Sequence, residues 1–435
     1  MSRTSTINPN PLSEKLPSGW TRKTLGEVVS LSTEKVDPVE QPEAPYIGLE
    51  HIVSGTKRLC GFGKAAHVRS TKSVFRAGDI LYGKLRPYLN KVVRPVFAGV
   101  CSTDILVLRA TANVEPAFIE YIVSMPKFVE FAMSNSAGIN LPRTSYKKLA
   151  DFPIPLPPLP EQRRIVARLE ALEARSRRAR AKLSEVPAQL AQARQSLLAA
   201  AFRGELTADW RGTHAPSYDV QGEFDGIKLA PLPATWRWVA LEEIASSMKI
   251  GLVRSAAEQS TTTGVPYLRM QHYNLTGKWQ LFDITRIQVS QSEFKEFSLQ
   301  DGDILFNTRN SFELVGKVAI WAQNGEHHVF NNNLMRIRLR SESSLFVGHQ
   351  MQSPLFAVLI RNLKSATTSV AAIYGRDIKR LPIAIAPLPE QHEIARRLSA
   401  AFAKLDAAAS AHAAAVTALD RLDQSILARA FSGAL

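Results

Sequence analysis

The stretches "PLPPLPEQRRIVARL" at 155–169 and "IAPLPEQHEIARRL" at 385–398 open in the same way, with prolines running into Glu-Gln and then into a helical pattern. The likeness continues without a gap over 161–206 and 390–435, down to the closing "AFRGEL" and "AFSGAL". A repeat this long points to duplicated domains rather than to a stacked array of short units. Prolines 153, 155, 157, 158 and 160 cannot continue a preceding helix and hold the chain extended. They lead into acidic and polar residues favoured in a first helical turn, so the motif sets the angle at which a helix leaves a globule.

Beyond each motif the apolar positions follow a four-three spacing. In the first copy these are Ile165, Leu169, Leu172, Ser176, Ala179, Leu183, Val186, Leu190, Ala193 and Leu197; in the second, Ile394, Leu398, Ala401, Leu405, Ala408, His412, Ala415, Leu419, Leu422 and Ile426. A sustained period of 3.5 residues is a coiled-coil seam, and neither seam stays dry alone. The two helices are therefore expected to pair antiparallel, holding two globules at opposite ends of a rod. Pro187 interrupts the first seam, where a proline removes a hydrogen bond, and predicts a bend or a break there.

Ahead of each helix the repeat persists in weaker form. "LPSGW" at Leu16 is echoed by "LPATW" at Leu232, "PYIGLEHI" at Pro45 by "PYLRMQHY" at Pro266, and "AGDILYGKLRP" at Ala77 by "DGDILFNTRNS" at Asp301. "GDILYGKL", "DILVLRA", "GDILFNT" and "LMRIRLR" run apolar like short strands, and "PAFIEYIVSMPKFVEFAMS" and "FVGHQMQSPLFAVLIRNL" read as helices interrupted near a proline. The expected fold is mixed α/β: two similar globules separated by two long antiparallel coiled-coil helices, related by a pseudo-twofold internal repeat. The boundaries are a first globule at 1–157, a helix at 158–206, a connector at 207–231, a second globule at 232–386 and a second helix at 387–435.

A net charge of +15 favours a polyanionic partner, because excess lysine and arginine attract phosphate and release its counterions. There is no apolar run of about eighteen residues and no apolar core near the N-terminus. The expectation is a cytoplasmic protein that meets nucleic acid rather than a membrane. Cys60 and Cys101 lie outside any C-x-x-C pair and read as reduced structural residues.

Catalytic signatures are missing. There is no P-loop, no H-E-x-x-H, no G-x-S-x-G and no N-P-P-[FY] or D-P-P-[YF] tetrapeptide of amino-methyltransferases, and "GFGKAA" at Gly61 reads as a turn. Asp79 and Asp303 recur in the repeat, but their "GDIL" setting reads as a turn into a strand rather than as a nuclease site. The chain is expected to bind rather than react, with no cofactor of its own.

Two stretches in each half carry side chains able to touch bases or phosphates. The first lies after the "GDIL" strand: Lys84, Arg86, Tyr88, Asn90 and Lys91, against Asn307, Arg309, Asn310 and Lys317. The second lies ahead of the proline run: Arg143, Thr144 and Lys147 in "INLPRTSYKKL", against Tyr374, Arg376 and Lys379 in "TSVAAIYGRDIKRL". Arginine suits guanine and asparagine suits adenine in a groove. A solvated loop of structural turn residues is the other reading of the same stretches. The basic run "ARSRRARAK" from Ala174 reads as a solvated helix face rather than a DNA contact.

Two divergent globules, each closed by "PLPPLPEQRRI" or "APLPEQHEI" and a heptad helix, with "GDILYGKLRPYLNK" inside the first, resemble the specificity subunit of type I restriction-modification systems over nearly the whole chain. The resemblance implies two target recognition domains, each reading one half of a split, asymmetric site in double-stranded DNA. It also implies that the helices are spacers on which two methyltransferase subunits dock, with restriction and translocase subunits joining them. S-adenosylmethionine and ATP would then belong to those partners. A free-standing sequence-specific DNA-binding protein and a coiled-coil scaffold that binds only proteins are the alternatives.

Overall fold

A computed structural model of the chain describes residues 16–211, 220–322, 325–366 and 370–435. The N-terminal stretch at 1–15, residues 212–219 of the expected connector and the start of "TSVAAIYGRDIKRL" lie outside the described residues. The chain divides into two compact units, Met1–Leu183 with Ala414–Leu435, and Ser184–Ala413. Two long helices, α1 (Leu159–Phe202) and α2 (Leu388–Phe431), each contribute a segment to both units.

In unit 1 an antiparallel sheet runs in the order Val92–Val93, Ile80–Gly83, Ile105–Ala110, Val29–Leu31. A second, five-stranded sheet of shorter strands contains one parallel pair, Gly99–Cys101 with Pro45–Ile47. The proline run forms a strand, Pro153–Leu156, paired with Thr21–Thr24 as an isolated two-stranded ribbon, where missing proline N–H groups do least harm. Helices Pro116–Ser124 and Pro126–Ser134 are separated by the extended Met125, as the proline between them dictates. Their apolar faces join Ile165, Val166 and Leu169 of α1 and Ala430 and Phe431 of α2 in one core. Here α1 and α2 run antiparallel: Ser176 Oγ and Arg180 Nη2 both donate to Asp423 Oδ2, at 2.8 and 2.7 Å, and Arg164 Nη2 donates to the Leu435 carbonyl at 2.8 Å.

Unit 2 repeats this plan. Its antiparallel sheet runs Val318–Ile320, Ile304–Asn307, Leu334–Leu339, Ala245–Ile250, and its second sheet again holds one parallel pair, Val265–Leu268 with Val329–Phe330. Arg237–Ala240 pairs with Pro382–Ile385 as Thr21–Thr24 does with Pro153–Leu156. Within this unit α1 and α2 are also antiparallel, with the Arg194 guanidinium 3.6 Å from the Phe402 ring centroid and Arg397 Nη1 donating to the Leu206 carbonyl at 2.8 Å.

The repeated Glu-Gln has a structural cause. Gln162, 1% exposed, accepts from the Glu115 N–H at 2.8 Å and donates to the Pro157 carbonyl at 2.8 Å. Gln391, 2% exposed, accepts from the Ser343 N–H at 2.9 Å and donates to the Ala386 carbonyl at 2.9 Å. In each unit one amide therefore ties the start of the long helix to the turn before it and to the N-cap of the first helix of the proline-split pair, Pro116–Ser124 in unit 1 and Ser344–Gln350 in unit 2. The neighbouring glutamates differ. Glu161 makes a partly exposed pair with Arg164, whereas Glu390 is buried and accepts from Thr207 Oγ1, Arg211 Nη1 and Trp236 Nε1.

Three expectations are corrected. Of the bend or break expected at Pro187, the break does not occur: helix α1 continues through the residue, which is exposed, so its ring meets solvent. The second seam shifts phase at His412: Ala408, Ala415 and Leu422 are exposed, while Val416, Leu419, Asp423 and Ile426 turn inward. A four-residue step replaces a three-residue one, the stutter that keeps a straighter helix in contact with its partner. Cys101 is buried, its thiol pushed up to about 12 by desolvation, but Cys60 is exposed.

Asp79 and Asp303 are buried and bound to arginine: Arg109 Nε and Nη2 donate to Asp79 at 3.0 and 2.8 Å, and Arg338 Nε and Nη2 both donate to Asp303 at 2.7 Å. Each carboxylate also accepts a backbone N–H three residues upstream, the turn into the strand that the sequence suggests. Among the described residues no helix is long and apolar enough to cross a membrane, and no group of three or more His, Cys, Asp or Glu could hold a metal ion.

Two predictions follow from this framework. Replacing Gln162 or Gln391 with leucine should destabilise the unit that holds it by roughly 2–4 kcal/mol, because a buried N–H and a buried C=O both lose their partner. Glu161→Ala should cost under about 1 kcal/mol, as an exposed pair does, and denaturant unfolding of the four proteins compares them. In unit 2, burial holds His272 and His349 down at about 4 and lowers His328 as well. These imidazoles stay neutral in the fold while the unfolded chain protonates near pH 6.5, so this unit should lose stability as pH falls from about 6.5 to about 4. His272→Asn should flatten that dependence, measured by thermal unfolding across the pH range.

Candidate nucleic-acid interface

In each unit the structure brings together the two stretches singled out in the sequence. After strand Ile80–Gly83 the backbone leaves its sheet partners and pairs with the segment ahead of the proline run. Thr144 N donates to the Lys84 carbonyl at 3.0 Å, Arg86 N donates to the Pro142 carbonyl at 2.7 Å, and Leu85 and Arg143 form an antiparallel bridge. After strand Ile304–Asn307 the same happens: Ile373 N donates to the Thr308 carbonyl at 3.0 Å, Arg309 pairs with Ala372, and Asn310 with Ala371. Lys84 and Thr308 hold the same place in the two copies, and so do Thr144 and Ile373. Each unit thus presents a short paired edge built by a shared framework and carrying different side chains.

Side chains on the unit 1 edge divide into two groups. Arg86, Tyr88 and Lys147 are exposed and Lys84 is half-buried. Arg86 makes no ion pair among the described residues. Arg143 is exposed but held by Asp104 at 3.1 Å. The other three serve the fold: Asn90 Nδ2 donates to the Ser124 carbonyl at 2.6 Å, Lys91 Nζ donates to the Leu49 carbonyl, and Thr144 is buried at 3% exposure.

On the unit 2 edge Arg309, Tyr374, Arg376 and Lys379 are exposed, and Arg309 makes no ion pair among the described residues. Arg376 lies 3.7 Å from the Asp377 carboxylate and its guanidinium 6.0 Å from the Tyr374 ring centroid. Asn307 is fully buried, its amide donating to the Arg309 and Asn333 carbonyls at 3.0 Å and accepting from Asn310 Nδ2 at 2.9 Å. Lys317 Nζ donates to the Tyr273 carbonyl at 2.7 Å, and burial lowers its pKa. Asn307, Asn310 and Lys317 therefore build the edge from behind. The polar residues nearest the strand end fold inward because the backbone carbonyls exposed where the sheet pairing changes must be satisfied.

The basic run at Ala174 is a mixed helix face. Arg175 and Arg178 are exposed, Arg177 lies 3.8 Å from Glu173, and Arg180 bridges Asp420 and Asp423 at 2.7 Å each.

Two features of the edge escaped the sequence reading. Arg86 (φ +53°) and Asn90 (φ +47°) bracket the turn Pro87–Leu89 in the left-handed region, a conformation asparagine tolerates and arginine seldom adopts. The proline after Arg86 was the only signal that this residue leaves the helical region. The second is an apolar loop, with Ile139 99% and Leu141 53% exposed, next to the bridge that Arg143 makes with Ala137. The Arg86 geometry makes a prediction: Arg86→Gly should leave unit 1 as stable or more stable by up to about 1 kcal/mol, since glycine adopts positive φ without strain. Chemical denaturation checks it, and Arg86→Val should be destabilised.

Residues 17–188 and 233–412 each match the family described as the type I restriction modification DNA specificity domain, and the chain belongs to this family. Among curated relatives, the EcoDI specificity subunit of Escherichia coli is 33% identical over 198 residues, which span 45% of this chain and 44% of that protein. The EcoKI specificity subunit of Escherichia coli K12 is 29% identical over 332 residues, 76% of this chain and 68% of its own length. The chain thus spans under half the length of the first of these relatives and about two thirds of the second. Among solved structures, a chain from work on complex assembly and conformational transition of the type I R-M system matches with a TM-score of 0.77 at 25% identity, covering 97% of this chain and 100% of its own. The HsdS subunit from Thermoanaerobacter tengcongensis matches with a TM-score of 0.63 at 25% identity, covering 97% and 99%.

Proposed function

We propose that this chain is the DNA-reading specificity subunit of a type I restriction-modification complex in the cytoplasm, and that its two units each read one half of a split, asymmetric site in double-stranded DNA. The observation that carries the reading is the duplicated edge. One framework presents a paired loop twice, and the guanidinium that makes no ion pair among the described residues stands one position apart in the two copies: Arg86 matches Asn310, and Arg309 matches Leu85. A shared scaffold with displaced readers suits two different half-sites better than a palindrome. The net charge of +15 supplies the sequence-independent attraction to phosphate that such reading needs.

On this reading α1 and α2 are the docking surface for two methyltransferase subunits, to which restriction and translocase subunits are added. S-adenosylmethionine and ATP are bound by those partners, and this chain contributes recognition without catalysis. The test is to express the chain with and without its methyltransferase partner in a host free of other modification and to sequence the modified bases. The expected result is methylation of a bipartite, asymmetric sequence with an unread gap, seen only when the partner is present. Methylation by this chain alone, or a continuous or palindromic target, would overturn the proposal. Replacing Arg309 and Arg376 with alanine should relax one half only, at roughly 1–3 kcal/mol for each lost base contact, while Lys147→Ala should weaken all sites evenly and lower the salt slope by about 1.

A further inference from the structure

Unit 1 carries an apolar finger on its edge. Ala137 N donates to the Arg143 carbonyl at 3.0 Å and Arg143 N donates to the Ala137 carbonyl at 2.9 Å, a single antiparallel bridge that closes 137–143 into a narrow loop. Gly138 turns it at φ +99°, where a Cβ would also stand 3.0 Å from the Leu141 carbonyl oxygen. At the tip Ile139 is 99% exposed, with Leu141 at 53% behind it and Tyr88 at 51% on the neighbouring segment. A single exposed apolar residue needs no explanation. Three on one edge, beside the exposed Arg86 in its left-handed turn and the exposed Lys147, make a surface that is apolar at its tip and cationic around it.

On DNA this combination has a narrow meaning. The major groove is wide enough to admit a two-stranded ribbon and so a narrow loop, and its floor offers donors and acceptors and one apolar group, the C5-methyl of thymine. An isoleucine pressed against any other base edge desolvates polar atoms without replacing their hydrogen bonds. We propose that Ile139, backed by Leu141, reads a thymine in the half-site of unit 1 by contact with its methyl group. The inference rests on the DNA-reading function proposed above and adds the chemistry of one base within it. The finger selects by burial, and Arg86 and Lys147 hold the duplex in register.

The test uses the full chain assembled with its methyltransferase partner and duplexes of the mapped site. Each thymine of the unit 1 half is replaced singly by deoxyuridine, which removes the methyl and keeps every base-edge hydrogen bond. At one thymine the wild type should bind about fourfold more weakly, the loss expected for one buried methyl. The doubly substituted I139S/L141S protein should bind thymine and uracil duplexes alike, at about the wild-type affinity for uracil. Because both side chains are exposed, this variant keeps its fold, which its unfolding curve checks. A half-site without thymine, equal binding of every uracil duplex by the wild type, or discrimination that survives in I139S/L141S would overturn the inference while the bipartite methylation map stands. Absence of any unit 1 half from that map would overturn the broader reading as well.

Discussion

A buried glutamine amide at the start of each long helix holds this architecture in place. Gln162 and Gln391 each accept one backbone N–H and donate to the carbonyl of the turn before the long helix, Gln162 also to the Asn113 carbonyl, and the groups they satisfy belong to segments far apart in sequence: that turn and the cap of the first helix of the proline-split pair. No other side chain meets both requirements there. Glutamate cannot donate, asparagine is one methylene shorter, and leucine would leave two buried polar groups unpaired. The prolines ahead of the amide keep the chain extended and add no N–H groups that would compete for it. The motif written twice is therefore a joint, and the chain repeats it because each globule must meet its helix at a defined angle.

From that joint the two units diverge by degrees. The order of the four-stranded antiparallel sheet, the parallel pair in the second sheet, the split helices and the buried Asp–Arg pairs are common to both, since each satisfies the same buried backbone. The glutamate beside each glutamine already differs. In unit 2, Thr207, Arg211 and Trp236 surround Glu390 and bury it, while Glu161 of unit 1 pairs with Arg164. Divergence is greatest on the paired edges, where exposed residues are released from the framework and the arginine changes position.

Much of this was legible in the sequence. The repeat, the interrupted helices and the longer strands of the first sheet in each unit carry long periodic signals. The second sheets do not, because strands such as Lys35–Val36 and Gly63–Lys64 are too short to show an alternation. The bringing together of the two candidate stretches in each unit was not legible either, since it depends on pairing across more than fifty residues. Residue chemistry alone also could not separate readers from builders: Asn307 and Asn310 look like adenine contacts, yet the backbone where the sheet pairing changes needs their amides. The break expected at Pro187 is avoided because a proline on the solvent face costs the helix a hydrogen bond but keeps its ring out of the packed seam, and the seam beyond His412 was misread because Ala415 and Leu422 continue the four-three spacing in apolar residues while the inward positions include the polar Asp423.

The most direct measurement places a photo-crosslinking amino acid at Tyr88 or at Tyr374, both half exposed on the paired edges, and maps the crosslinked bases on DNA bound by the full complex. The account predicts that position 88 marks bases in one half of the site and position 374 bases in the other, with the intervening gap unmarked. Crosslinks from both positions to the same half, or to the gap alone, would contradict it.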